Sequence, residues 1–193
     1  MHARSKSQSI VTNRSTVLLI GHPNVGKSAL FNRLTGADIT ESNYPGTTVD
    51  YTEGDLVFED TNLRVIDVPG TFSLDPRDRA EEVAVELLEA NPGAVVICVV
   101  DATRFERGLN LVLEVIERGY DVVLAVNMWD EAREKNIDID VEVLERILRV
   151  PVVPTVATSG SGIKTLVESI PHAASPSIAD IKQNVSATGS ESA

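Results

Sequence analysis

The most constraining feature of the chain is the run Gly-His-Pro-Asn-Val-Gly-Lys-Ser at residues 21–28, which fits the pattern G-x-x-x-x-G-K-[ST]. An apolar, strand-like run, Val17–Ile20, precedes it, and a helix-like run, Ala29–Leu34, follows it. A glycine-rich loop in this position turns successive backbone N–H groups toward phosphate oxygens, and the helix start adds its positive dipole end. The pattern predicts a phosphate-binding loop, and the alternative is a glycine-rich turn that matches it by chance.

Two side chains of this loop carry specific chemistry. We expect Lys27 to reach the β- and γ-phosphates of a nucleotide and the Ser28 hydroxyl to ligate Mg²⁺. The nucleotide contacts predicted in this segment come from Gly21, Asn24, Val25, Gly26, Lys27, Ser28 and Ala29.

Strand-like and helix-like segments alternate along residues 17–170, which is typical of an α/β fold. The continuous apolar run Ala94–Val100 indicates a central parallel strand covered on both faces, and Val49–Phe58 with Leu63–Val68 indicates a hairpin. The sequence therefore predicts a three-layer α/β fold. Its sheet would be mostly parallel, with about six strands, one antiparallel edge strand and helices on both faces. Ligands of such sheets bind beyond the carboxyl ends of the strands.

Polar motifs follow several of the predicted strands at that edge. Asp67-Val68-Pro69-Gly70 comes after the third strand, where the Asp67 carboxylate can hold Mg²⁺ through water and the Gly70 amide can bond a γ-phosphate. After the sixth strand, backbone amides could bond the O6 atom of a guanine at Val156, Ala157 and Thr158.

The segment after the fifth strand, Asn127-Met128-Trp129-Asp130, supplies the predicted base contacts Asn127, Met128 and Asp130. The Asp130 carboxylate can accept hydrogen bonds from the N1–H and 2-amino groups of guanine. Adenine offers neither donor and would leave a buried carboxylate unpaired, so the site would reject it. We expect Asn127 to bridge the phosphate loop and the base. The alternative for Asp130 is a helix N-cap.

Bulk composition restricts the function classes. The net charge of −12 gives no basic face of the kind that nucleic-acid binding uses, so a nucleic-acid partner is not expected. The single cysteine, Cys98, lies in an apolar run, which excludes an internal disulfide and predicts an unreactive thiol in a reducing compartment. No apolar run approaches the roughly 20 residues that span a bilayer.

The ends of the chain differ from its middle. Residues 1–15 are polar and are expected to form a flexible lead, without the apolar segment of a signal peptide. Residues 16–172 form the predicted domain. Residues 173–193 are rich in Ser and Ala, and we expect a low-complexity tail that is disordered from about Gln183 onward.

Together, the motifs resemble the G motifs of Ras-like GTPases in order and spacing. Longer stretches are similar to the ferrous iron transport protein B (FeoB) family, in which Met128 in place of the usual Lys is typical. These stretches are Asn43–Val49, Asp67–Leu74, Val100–Thr103 and Asn127–Ala132.

The resemblance implies roles for further residues. Thr48, rather than its neighbour Thr47, would complete the Mg²⁺ shell when a γ-phosphate is present. The switch I and switch II loops would be Thr35–Thr48 and Gly70–Arg79. The residues expected to act in hydrolysis are Lys27, Thr48, Gly70 and Asn24.

Three positions modify this picture. Asn24 resembles an asparagine that binds K⁺ beside the phosphates, and the alternative is a plain turn residue. Thr71 stands where many Ras-like proteins have a water-orienting Gln, which predicts slow hydrolysis or positioning of the water by backbone groups. Val156 stands where Ser is common, which predicts a weaker guanine contact and faster release.

The function implied is a switch domain that binds GTP or GDP with Mg²⁺, hydrolyses GTP, and is stimulated by K⁺. Its nucleotide state would regulate a membrane permease for ferrous iron, in cis or in trans, and weak homo-oligomers are conceivable. The expected location is the cytoplasm or the cytoplasmic face of the membrane. The alternatives are a GTP/GDP sensor with little turnover and an RNA-associated assembly GTPase.

Overall fold

The computed structural model describes residues 16–36 and 39–191. The strands in these residues are β1 (Thr16–Gly21), β2 (Ile39–Asn43), β3 (Asp50–Phe58), β4 (Thr61–Asp67), β5 (Val95–Asp101), β6 (Asp121–Asn127) and β7 (Val152–Pro154). The helices are α1 (Lys27–Thr35), α2 (Arg79–Glu89), α3 (Phe105–Glu117), α4 (Trp129–Glu134), α5 (Val141–Leu148), α6 (Ile163–Ser169) and α7 (Ile178–Glu191). Short 3₁₀ turns precede α3, at Ala102–Arg104, and follow α6, at Ile170–His172.

All strands that the structure describes belong to one sheet, in the order β2-β3-β4-β1-β5-β6-β7. The pairs β4–β1, β1–β5, β5–β6 and β6–β7 are parallel, whereas β3 runs antiparallel to both of its neighbours, β2 and β4. Asp50–Phe58 and Thr61–Asp67 form the predicted hairpin. The predicted mostly parallel α/β fold is confirmed, and its parallel strands carry their carboxyl ends to one edge.

The core lies on both faces of the sheet because alternate side chains of each strand point to opposite sides. In β1, Leu18 and Ile20 join the core under α2 and α3, whereas Val17 and Leu19 join the core under α1 and α6. The predicted central strand β5 is buried along almost its whole length. Burial raises the pKa of the Cys98 thiol in this strand, which agrees with the expectation that it is unreactive.

The sheet has one strand more than the sequence predicts. Strand β2 lies inside the segment predicted as an uninterrupted loop, Thr35–Thr48, and pairs from Ile39 with Gly54 to Asn43 with Asp50. Its sequence is Ile-Thr-Glu-Ser-Asn, and its residues are mostly exposed. A polar strand at a sheet edge has no apolar alternation to reveal it, so the periodicity argument missed it.

The chain after residue 173 also departs from the predicted disorder. Helix α7 is fixed to the domain by the buried side chain of Ile181 and by Asn184, whose Nδ2 donates to the Ile147 carbonyl at 3.1 Å. Ser177 starts the helix by accepting from the Asp180 amide at 3.1 Å. The Ser- and Ala-rich composition hides this amphipathic helix. The predicted lead lies outside the described residues, and the division into lead, domain and tail stays a prediction.

Among the described helices, none combines the length and the apolar character that crossing a membrane requires.

Candidate functional site

The phosphate loop is held against the neighbouring strands so closely that two of its glycines have no room for a side chain. Gly26 has a φ of +85°, and a Cβ there would collide with the Nδ2 atom of Asn127. A Cβ on Gly21 would collide with the carbonyl oxygen of Val99. The loop conformation therefore depends on both glycines, and α1 begins directly after it, with Ala29 packed against the core.

The carboxylate of Asp67 joins the two side chains that the motif singled out. The Ser28 hydroxyl donates to Asp67 Oδ2 at 2.8 Å, and Lys27 Nζ lies 3.4 Å from Asp67 Oδ1. Lys27 is only 8% exposed. Residues 39 positions apart are thus brought together at the carboxyl ends of β1 and β4. A hydroxyl and a carboxylate are the oxygen ligands that suit Mg²⁺, so the donor set fits this ion.

The turn before β3 distinguishes the two threonines of the switch I prediction. Thr47 Oγ1 donates to the Tyr44 carbonyl at 3.0 Å and accepts from the Val49 amide at 3.1 Å. Thr47 is therefore occupied in the turn, whereas Thr48 is exposed.

The segment predicted as switch II starts against the phosphate loop. The Thr71 amide donates to the Gly21 carbonyl at 3.1 Å, and a Cβ on Gly70 would lie 3.1 Å from Pro23 atoms. Thr71 itself is fully buried, and its hydroxyl donates to the Ser73 carbonyl at 2.6 Å. In this arrangement the Thr71 side chain faces the protein interior and makes no contact with solvent.

The next part of this segment is fastened to α3. Glu114 accepts from the Leu74 amide at 2.5 Å and from the Ser73 hydroxyl at 3.0 Å. One helical turn later, Arg118 donates to the Leu74 carbonyl at 2.6 Å. The Leu74 side chain is buried at 2% exposure. The backbone of Leu74 is therefore held on both its N–H and its C=O.

Asn127 connects the phosphate loop to the segment after β7. Its Nδ2 donates to the Val25 carbonyl at 2.9 Å. Its Oδ1 accepts from Thr155 Oγ1 at 3.2 Å and from the Ala157 amide at 3.1 Å. The side chain is 2% exposed. The predicted bridge from Asn127 to the phosphate loop is thus present in the structure.

The remaining base-site residues surround Asn127. Met128 has a left-handed backbone, with φ +60°, and occupies the N-cap position of α4. Asp130 lies inside the first turn, so it is not the N-cap residue of the alternative interpretation. The sequence argument treats its carboxylate as buried, whereas the structure leaves it exposed because it lies on the solvent side of this short helix. The Val156 amide donates to the Ser161 carbonyl at 3.0 Å.

Asn24 and His22 form the outer wall of the phosphate loop. Asn24 is exposed and has a φ of +66°, a conformation that asparagine tolerates better than most residues. This backbone supports the turn interpretation, and the exposed amide is equally compatible with an ion ligand. The His22 ring lies 4.9 Å from that of Phe72. Burial lowers the pKa of His22, although a hydrogen bond to the Phe72 backbone acts in the opposite direction.

Sequence reasoning missed three residues that hold these loops: Arg33, Glu114 and Arg118. Arg33 on α1 bonds the carbonyls of Ala157 and Thr158, and the other two hold Leu74. All three are polar residues on helix surfaces, and their partners lie 40 or more positions away. No local pattern distinguishes them from solvated charges.

Among residues 16–36 and 39–191, no cluster of three or more His, Cys, Asp or Glu side chains is placed to hold a metal ion.

The phosphate loop after β1, the Asp67 carboxylate at the end of β4 and the Asn127 side chain at the end of β6 meet at one edge of a mostly parallel sheet. This arrangement defines the class of P-loop GTPase folds. The sequence model of the family described as Ferrous iron transport protein B matches residues 15–170. The chain therefore belongs to the ferrous iron transport protein B family, as its motifs predict.

Individual relatives agree with this assignment. A protein named Fe(2+) transporter FeoB from Helicobacter pylori (strain J99) is 41% identical over 143 residues, 74% of this chain and 22% of the relative. A mutant S. thermophilus NFeoB bound to GDP has a TM-score of 0.77 at 36% identity, covering 83% of this chain and 63% of that one. The cytosolic domain of a T. maritima FeoB iron transporter in GMPPNP form has a TM-score of 0.78 at 38% identity, with coverages of 81% and 62%. The chain spans about a fifth of the length of the curated relatives it matches.

Proposed function

We propose that this chain binds GTP together with Mg²⁺ at the carboxyl edge of the sheet and hydrolyses it to GDP and phosphate. The observation that carries the proposal is the Asn127 side chain, which links the loop that would hold the phosphates to the loop that would hold the base. A single nucleotide can lie across both loops. The solved relatives in GDP and GMPPNP forms support this assignment.

Each residue expected near the phosphates has its own role in binding or hydrolysis. Lys27 places its ammonium group beside the β- and γ-phosphates and leaves the ion pair with Asp67 to do so. Ser28, Asp67 and Thr48 would hold Mg²⁺, which neutralises charge on the phosphates when bound. The Gly70 amide donates to the γ-phosphate. Loss of that phosphate releases Thr48 and Gly70, and so reshapes both switch loops.

The attacking water is positioned by backbone groups rather than by the side chain at position 71. The Thr71 hydroxyl is buried and already donates to the Ser73 carbonyl, so it cannot replace a water-orienting Gln. We therefore expect a slow intrinsic rate. Asn24 offers an exposed amide oxygen beside the phosphate loop as a K⁺ ligand, and K⁺ there would raise the rate.

In the cell, we propose that the nucleotide state of the switch loops regulates a membrane permease for ferrous iron. This places the domain at the cytoplasmic face of a membrane. Family membership and the names of the relatives support this role.

The test combines binding and turnover. Calorimetry should show uptake of GTP and GDP but not of ATP, and phosphate release should be faster in KCl than in NaCl. Lys27→Ala should abolish release, and Asn24→Ala should remove the K⁺ effect while nucleotide affinity stays nearly unchanged. Arg146→Met, an exposed change on α5, is the matched control and should behave as the parent. Equal uptake of ATP and GTP, or uptake of neither, would contradict the proposal.

A second candidate is a GTP/GDP sensor with negligible turnover, which the buried Thr71 hydroxyl favours. Tight GTP binding with phosphate release indistinguishable from buffer in both salts would support the sensor over the hydrolase.

A further inference from the structure

Arg33 connects helix α1 to the loop that would contact the base. Its Nε donates to the Ala157 carbonyl at 2.9 Å, and its Nη2 donates to the Thr158 carbonyl. These two N–H groups share one edge of the planar guanidinium, so they hold two neighbouring carbonyls in a fixed geometry. The helix that begins at the phosphate loop therefore also fixes the loop at the base.

The backbone amides of this loop differ in what they bond. The Val156 amide donates to the Ser161 carbonyl at 3.0 Å, and the Ala157 amide donates to Asn127 Oδ1 at 3.1 Å. Within the part of the chain that the structure describes, the Thr158 amide has no hydrogen-bond partner. Of the three amides predicted to bond O6, those of Val156, Ala157 and Thr158, it is thus the one that remains for a ligand.

The orientation of that amide follows from the position of Arg33. The described peptide bonds are all trans, and in a trans peptide the C=O and the N–H point in opposite directions. Because Arg33 draws the Ala157 carbonyl toward α1, the N–H of the same peptide unit, that of Thr158, points away from α1. The positively charged Arg33 guanidinium, which donates to the Ala157 carbonyl, also polarises this peptide unit and makes its N–H a better donor.

We propose that Arg33 is a positioning residue for guanine recognition, which orients the Thr158 amide as a donor to the O6 atom of the base. This inference rests on the proposed GTP binding. In this assignment, different protein groups bind the two polar parts of guanine. The Thr158 amide that Arg33 orients donates to O6, and the Asp130 carboxylate accepts from N1–H and the 2-amino group.

The test compares three nucleotides by calorimetry. GDP carries every contact, 6-thio-GDP replaces O6 with the weaker acceptor sulfur, and IDP lacks only the 2-amino group. The proteins are the parent chain, Arg33→Met, Arg33→Lys and the exposed-arginine control Arg146→Met. Arg33→Met should lower GDP affinity about fivefold to tenfold. Its preference for GDP over 6-thio-GDP should shrink by the same factor, whereas its preference for GDP over IDP should not change.

The conservative variant Arg33→Lys and the control Arg146→Met each have their own expected result. Arg33→Lys keeps the charge but can hold only one carbonyl well, so its loss should be intermediate; Arg146→Met should match the parent. If Arg33→Met binds GDP as the parent does, or if both preferences fall in parallel, Arg33 does not position the O6 donor. If the parent chain itself takes up no GDP, the proposed function fails instead.

Discussion

The structure assigns to Asn127 a stability role that can be measured without any nucleotide. Replacing it with Ala removes one donor and one acceptor and leaves three groups unpaired: the Val25 carbonyl, the Thr155 hydroxyl and the Ala157 amide. Thr155 is 0% exposed, so bulk water does not replace the lost bond there. Each orphaned buried group costs about 1–3 kcal/mol.

Because the truncated side chain leaves room for a water molecule, the low end of that range applies to each group. The total is about 3 kcal/mol. For a chain of this size, 1 kcal/mol lowers the melting temperature by about 2–4 °C, so we expect Asn127→Ala to melt about 6–12 °C lower. Thermal unfolding followed by circular dichroism, without nucleotide, measures this directly.

The matched control is Asn91→Ala, since the Asn91 side chain makes one hydrogen bond, from Nδ2 to the Leu87 carbonyl at 2.8 Å. Its melting temperature should fall by no more than a third as much. If the two variants lose equal stability, Asn127 is not the connection between the two loops, and the reasoning from its three bonds is refuted.

Three further variants test other parts of the site and fold. Asp130→Asn should weaken GDP binding and admit xanthine nucleotides, because a carboxamide donates where a carboxylate only accepts; unchanged GDP affinity in calorimetry would disprove the base contact. Glu114→Gln should lower the free energy of unfolding in urea by about 1 kcal/mol, whereas Glu117→Gln on the same helix should not; equal midpoints would disprove the contact with the switch II segment. Ile181→Ala should cost about 2 kcal/mol by the same assay, and Val185→Ala, which is 52% exposed, should cost much less; equal losses would mean that α7 is not docked.

The sequence predicted those parts of the fold that depend on buried, continuous apolar runs. Strands β1, β5 and β6 read as apolar segments, and the rule that ligands bind beyond carboxyl strand ends then placed Lys27, Asp67 and Asn127 at one edge. Helix α7 was not predicted because its packing depends on two apolar residues within a polar stretch, the buried Ile181 and the partly buried Ile178.

Long-range polar contacts could not be predicted for a different reason. Arg33 and Glu114 look like ordinary solvated charges, and only the folded chain shows that their partners are backbone groups 124 and 40 positions away. Backbone carbonyls and amides occur at every residue, so the sequence contains no complementary side chain that would reveal such a pair.

Strand β2 limits how much of the chain must be immobilised when a nucleotide enters. Its five residues are already paired with β3, so the segment from Ile39 to Asn43 does not have to lose its backbone freedom again. Fixing a residue costs about 1–2 kcal/mol, so an unpaired segment of this length would weaken affinity by at least about 5 kcal/mol. If a nucleotide binds as proposed, the connection from Tyr44 to Val49 would close over the phosphates while the pairing of β2 with β3 stays intact.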